Sequence, residues 1–235
     1  ENGTLYVANI KEGKWIPLVR EKHQVLKKNF KTQLDVMIYA REAALMVGAT
    51  ELDRPEDVAI HPKTGEVFVS LTNNTPKGNY HGSLLKISPY DGDHGNDRFF
   101  ASTFLTGGPN SGFSCPDNLT FDKKGNLWIV TDISGSKMGQ GVYAPFKNNG
   151  LFVVMASGPK AGIPIQLGSA PSDAELTGLC FSSDHKTLFL SVQHPGEQSK
   201  SLSELTSHWP LGGNAIPRPA VVAIRGPTLE RLLSS

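Results

Sequence analysis

Five side chains have the types and spacing to do chemistry together: Arg54, Glu56, Asp117, Asn118 and Glu175. Arg54 and Glu56 flank a proline in Asp53-Arg54-Pro55-Glu56-Asp57, and Asp117 and Asn118 follow one in Cys115-Pro116-Asp117-Asn118. Glu175 opens a third such segment, Glu175-Leu176-Thr177-Gly178-Leu179-Cys180-Phe181. Carboxylates and an amide oxygen are hard donors that suit calcium, and Asp or Glu also holds iron or manganese. Pro55 and Pro116 would fix the backbone where ligand placement must be accurate.

Whether these groups meet depends on the strands that carry them, and those strands repeat. The segment from Arg54 to Ile60 aligns with that from Cys115 to Phe121, about 60 residues on, and a third copy follows after a similar interval. Each copy pairs a short strand with a second one across a Gly- or Asp-bearing turn, as in GEVFVSL from Gly65 and GNLWIVT from Gly125, the pattern of an antiparallel hairpin. A third strand recurs as GSLLKI, GLFVVM and PAVVAI, and as GTLYVA at Gly3–Ala8. Weaker fourth strands surround Trp15, Phe99 and Ile165. Four antiparallel strands per repeat is the pattern of a β-propeller blade. The expected class is therefore all-β: residues 1–20 end one blade, 53–106 and 115–170 form whole blades, and 175–225 form a partial one. Residues 33–48, with Leu34, Met37, Ile38, Arg41 and Leu45 at helical spacing and Gly48 as a stop, read as one inserted helix on the flank or top.

In a propeller the first strand of each blade lines the central channel. Arg54 and Glu56, Asp117 and Asn118, and Glu175 then surround one cavity. Two carboxylates about 5 Å apart repel by roughly 3 kcal/mol at an effective dielectric near 20, so a positive partner is expected there.

Plainer readings stand beside this one. An acid ahead of a strand can accept backbone N–H bonds in a turn, and Arg54 can pair with Glu56 or Asp57. His61, His81, His94, His185 and His208 read as ordinary surface or loop residues, whereas His194 directly follows an inner strand. Cys115 reads as a buried thiol, having no base beside it in sequence. Asn2-Gly3-Thr4, Asn73-Asn74-Thr75 and Asn118-Leu119-Thr120 match the glycosylation sequon, a common chance pattern.

Composition narrows the function classes. The 23 Lys and Arg balance 22 Asp and Glu without a block of either sign, so charge points to neither nucleic acid nor an anionic membrane. The 24 Gly and 16 Pro fit a turn-rich chain. Two cysteines, Cys115 and Cys180, are too few for a disulfide framework and too far apart for a zinc pattern. There is no apolar run long enough for a membrane span, no P-loop, no G-x-S-x-G and no H-E-x-x-H. The chain opens on Glu1 inside a strand-like phrase, and upstream sequence is expected.

Three stretches together, Gly48–Asn74, Cys115–Asp132 and Ala174–Glu197, resemble the PhoX-type alkaline phosphatases over nearly the whole chain. The resemblance implies a six-bladed propeller of which this is the C-terminal half, export by the twin-arginine route to the periplasm or beyond, iron and calcium at the axis, and hydrolysis of phosphomonoesters. It implies that Arg54 binds phosphate, that Glu56 is a metal ligand, and that Asp117 and Glu175 serve calcium. The upstream half of the family supplies further acidic ligands and a Cys ligand that have no match here. The partner implied is that half, or a second copy covering the open blades, with a small phosphate ester as substrate. Two rivals are a calcium-dependent lactonase, which favours Pro-Asn-Gly where this chain has Pro-Asp-Asn, and a non-catalytic calcium-binding or scaffold propeller.

Overall fold

The structure, a computed structural model, describes residues 3–234. Asn2, first residue of one sequon, lies outside the described residues. Contacts divide the chain into two compact units, Glu1–Leu52 with Ile87–Ser102, and Asp53–Lys86 with Thr103–Ser235.

In the first unit, β1 (Tyr6–Asn9) and β2 (Lys14–Pro17) form a two-stranded antiparallel sheet. Three short helices follow: α1 (Gln24–Asn29), α2 (Gln33–Ile38) and α3 (Ala40–Met46). Thr32 starts α2 with a reciprocal capping box to Asp35. The single helix expected over 33–48 is instead two, broken at Tyr39, whose φ and ψ of −102° and 41° leave the helical region. The break also reverses the expected face. Leu34, Met37, Ile38 and Leu45 are exposed, and the buried core is Leu18, Leu26, Phe30, Val36 and Ala43.

The remaining strands form blades. β3 (Pro55–Ile60), β4 (Val67–Leu71), β5 (Ser83–Pro89) and β6 (Phe99–Thr106) form one four-stranded sheet in that order. β7 (Pro116–Phe121), β8 (Leu127–Thr131), β9 (Gly150–Val154) and β10 (Pro164–Ser169) form the next. β11 (Glu175–Phe181), β12 (Leu188–Gln193) and β13 (Ala220–Ile224) form a three-stranded sheet, followed by α4 (Pro227–Ser234). The class is all-β, in propeller blades of antiparallel strands. Helices α1 and α4 lie outside the elements expected from the sequence.

Strand periodicity explains why β8 and β9 of the second sheet are buried on both faces. Successive side chains of a strand point to opposite sides. Leu127 and Ile129 of β8, with Phe152 and Val154 of β9, join Ala59, Phe68 and Leu84 in one core. Trp128 and Val130, with Leu151 and Val153, join Leu176, Leu188, Leu190 and Val192 in another. Each Val, Leu, Ile or Phe among them contributes about 1.5–3 kcal/mol when fully buried. This double interface holds the inner strands β3, β7 and β11 side by side. The opposite face of β3 is open, with Val58 and Ile60 exposed.

Candidate active site

The heads of β3, β7 and β11 carry the acidic residues. Arg54 and Cys115 stand at matching positions before the two prolines, and both hold a left-handed backbone, φ 52° and 54°. That conformation costs an L-residue roughly 1–2 kcal/mol. It is held by matching bonds: the Thr72 N–H donates to the Arg54 carbonyl at 3.0 Å, and the Asp132 N–H to the Cys115 carbonyl at 2.9 Å. Just inside, the ladder slips between Pro55 and Val58, between Pro116 and Leu119, and between Thr177 and Cys180. Glu56, Asp57, Asp117 and Asn118 all lie in such bulges, which re-aim side chains at strand ends.

The acidic side chains act on one another electrostatically. Asp117 is buried, and its carboxyl is pushed up to about 7 by burial, by a hydrogen bond with Glu175, and by the charges of Glu175, Asp132 and Glu56. Asp132, at the exit of β8, is pushed up to about 6 by burial first, then by the Glu175 charge, with Arg54 and His194 pulling the other way. Arg54 Nη2 donates to Glu56 Oε1 at 2.9 Å and Nη1 to Asn73 Oδ1 at 3.4 Å. His194 Nε2 lies 3.2 Å from Glu175 Oε2, and Gln193 Nε2 donates to Glu175 Oε1 at 3.4 Å. Arg54, Glu56, Asp117 and Glu175 thus belong to one electrostatic cluster, together with His194.

Asn118 is the exception among the expected ligands. Its Oδ1 accepts from the Gly178 N–H at 2.7 Å and from the Thr177 hydroxyl. One blade earlier, Asp57 Oδ2 accepts from the Leu119 N–H at 2.8 Å. Asp57 and Asn118 occupy equivalent positions, and each clamps its blade to the bulge of the next. The amide oxygen assigned to a cation is therefore taken by an interblade bond, because the bulge turns Asn118 toward β11.

Sequence reasoning missed Asp132. The signal was available: β8 runs antiparallel to β7, so the residue after it returns to the edge where β7 starts. Asn149, almost wholly buried, fixes this edge. Its Oδ1 accepts from the Ile133 N–H at 2.6 Å and the Thr131 hydroxyl at 3.0 Å, and its Nδ2 donates to the carbonyls of Ile133 at 3.1 Å and Ala174 at 3.0 Å. One amide thereby ties the neighbour of Asp132 to the residue before Glu175.

Cys115 is a buried thiol, and Cys180 is an exposed one; both are free. His81, its charged form disfavoured by burial, lies 2.9 Å from Ser114 Oγ through Nδ1 and packs edge-on to Tyr143. A cavity of about 510 Å³ opens nearby, lined by residues including Ser114, Thr131, Phe146 and Asn148, and none of the clustered acids lines it.

The donor set fits a hard cation in kind. Clustered carboxylates that hold protons up to about 7 and about 6 are short of positive charge. They do not complete a site as placed: among the described residues, no three His, Cys, Asp or Glu side chains are grouped to hold an ion.

The sequence profile described as alkaline phosphatase PhoX matches residues 1–196. The chain belongs to the PhoX alkaline phosphatase family. It also matches the structure of Pseudomonas fluorescens PhoX in complex with vanadate, a transition state analogue, with a TM-score of 0.80 and 33% identity over 94% of this chain. The match covers 44% of that protein, so this chain spans less than half its length. A gluconolactonase from Xanthomonas campestris gives a TM-score of 0.37 at 18% identity over 60% of this chain and 35% of its own, and a putative gluconolactonase 0.37 at 15% over 61% and 43%. No curated protein matches the chain. Among the described residues no helix is long and apolar enough to cross a membrane.

Proposed function

We propose that this chain supplies part of the active site of a metal-dependent phosphomonoester hydrolase. The observation that carries the reading is the convergence of Glu56, Asp117, Asp132 and Glu175 beside an arginine that keeps its guanidinium half exposed. In this reading Asp117, Asp132, Glu175 and Glu56 hold cations, of which the family resemblance implies calcium and iron. Their remaining donors come from the part of the family's length that this chain does not span. Bound cations would polarise the phosphoryl group and neutralise its charge.

The chain's own residues then have separate tasks. Arg54 presents a planar fork of donors that matches phosphoryl oxygens. Its pairing with Glu56 at 2.9 Å fixes the plane of that fork. Charge grows on the equatorial oxygens in the transition state, so a preset donor stabilises that state more than the substrate. Asn149 and the strained backbone at Arg54 keep these groups in register. A periplasmic or secreted location accords with this reading through the family.

The test uses the full-length, metal-loaded protein and a generic aryl phosphate. Arg54→Ala is expected to lower kcat/KM by about 100-fold or more, a loss of at least ~2.7 kcal/mol of transition-state stabilisation. Chelation is expected to abolish turnover. Near-normal turnover by Arg54→Ala, or activity indifferent to chelator, would overturn the reading.

A further inference from the structure

The side of the Arg54 guanidinium away from Glu56 rests on a chain of contacts that the family's phosphate chemistry does not itself require. Nη1 donates to Asn73 Oδ1 at 3.4 Å. The other end of the same amide, Nδ2, donates to Cys115 Sγ at 3.5 Å. Cys115 is buried, and its thiol donates in turn to the Tyr80 carbonyl at 3.6 Å. That carbonyl also accepts the Tyr143 hydroxyl at 2.8 Å. Burial and the neighbouring thiol push the Tyr143 hydroxyl up to about 12, so it remains a donor at working pH, and the Arg54 charge also reaches it. Ser114 Oγ lies 3.6 Å from the same sulfur.

We propose that Asn73 is a positioning residue for Arg54, and that the buried Cys115 thiol is the fixed point on which Asn73 is set. An exposed arginine left to itself samples many rotamers, and ordering it on substrate costs entropy. Glu56 restrains one end of the fork and Asn73 the other, so the guanidinium meets the phosphoryl oxygens already oriented. The amide suits the task because its oxygen accepts from the cation while its nitrogen donates to sulfur. The pairing follows from the repeat: Arg54 and Cys115 hold the same slot of successive blades with the same left-handed backbone. One blade thus supplies the arginine and the next supplies its support. This inference rests on the reading of Arg54 as the phosphate-binding group.

The experiment measures turnover of an aryl phosphate, and the inhibition constant of inorganic phosphate, in the full-length, metal-loaded protein. Asn73→Ala is expected to raise the phosphate inhibition constant and lower kcat/KM by about tenfold each, the effect of losing one hydrogen bond to a charged group. Cys115→Ala should give a loss of several-fold, about half as large on a logarithmic scale, and Cys115→Ser, which still accepts and donates, should stay within about twofold of the parent. In an Arg54→Ala background, Asn73→Ala should have no further effect. A merely structural asparagine would lower the active fraction, leave the phosphate inhibition constant unchanged, and add its loss to that of Arg54→Ala; either result overturns the proposal. If Arg54→Ala itself changes nothing, the assignment of Arg54 fails and this proposal falls with it. If Arg54→Ala is severe while Asn73→Ala is silent, only the positioning role is refuted.

Discussion

Asp117→Asn separates what the acidic cluster does for function from what it costs the fold. In the folded, cation-free protein Asp117 keeps its proton up to about pH 7, whereas an unfolded aspartic acid loses it near 3.8. The group's pKa is raised on folding, so its stabilising contribution is complete below pH 3.8 and is lost as pH rises through about 7. Unscreened, the rise is worth roughly 4 kcal/mol at 1.36 kcal/mol per pH unit. Solvent screening at a site that is only partly enclosed reduces this to about 2 kcal/mol. Asparagine carries no charge at any of these pH values and keeps a polar partner for Glu175. In chelator, the variant should match the parent near pH 3.5 and exceed it by about 2 kcal/mol at pH 8, read by urea denaturation. Saturating calcium should raise the parent at pH 8 and raise the variant much less. A variant that is less stable than the parent at pH 8 in chelator, or whose gain is the same at both pH values, would refute the reasoning.

Three more expectations concern the frame. Asn118→Ala should destabilise by about 1–3 kcal/mol through loss of the interblade clamp, while Asn118→Asp, which keeps the acceptor oxygen, should be milder; equal losses in denaturation would remove the clamp's role. Asn149→Ala strands buried polar groups of Ile133, Thr131 and Ala174, and should cost about 3 kcal/mol and lower aryl phosphate turnover; retained stability would mean that water replaces the amide. Gly82 holds φ +70°, and a Cβ there would sit 2.2 Å from the carbonyl oxygens of Leu71 and Thr72, so Gly82→Ala should cost more than about 1 kcal/mol in the same assay.

Much of the fold and part of the site were legible in the sequence, for definable reasons. The repeated Pro-acid step ahead of alternating apolar runs pointed to Arg54, Glu56 and Asp117, because a repeat that builds blades also sets equivalent residues on neighbouring inner strands. Glu175 and His194 are seen to meet once β11 and β12 pair, Glu175 opposite Gln193. Asn118 was misjudged because a one-residue bulge decides which way its amide turns, and no composition signal reports that. Asp132 was hidden by its setting at the end of the wholly buried LWIVT run. The helical segment was misread because helical spacing alone does not say which stripe is buried. Two short helices broken at Tyr39 bury the smaller residues Val36 and Ala43 and leave Leu34 and Ile38 outside.

The most direct measurement is a crystal structure of the full-length, metal-loaded protein with vanadate bound. The account predicts cation density among the carboxylates of Glu56, Asp117, Asp132 and Glu175, and vanadate oxygens within hydrogen-bond distance of the Arg54 guanidinium. Vanadate seated away from Arg54, or those carboxylates turned apart with no cation between them, would contradict it.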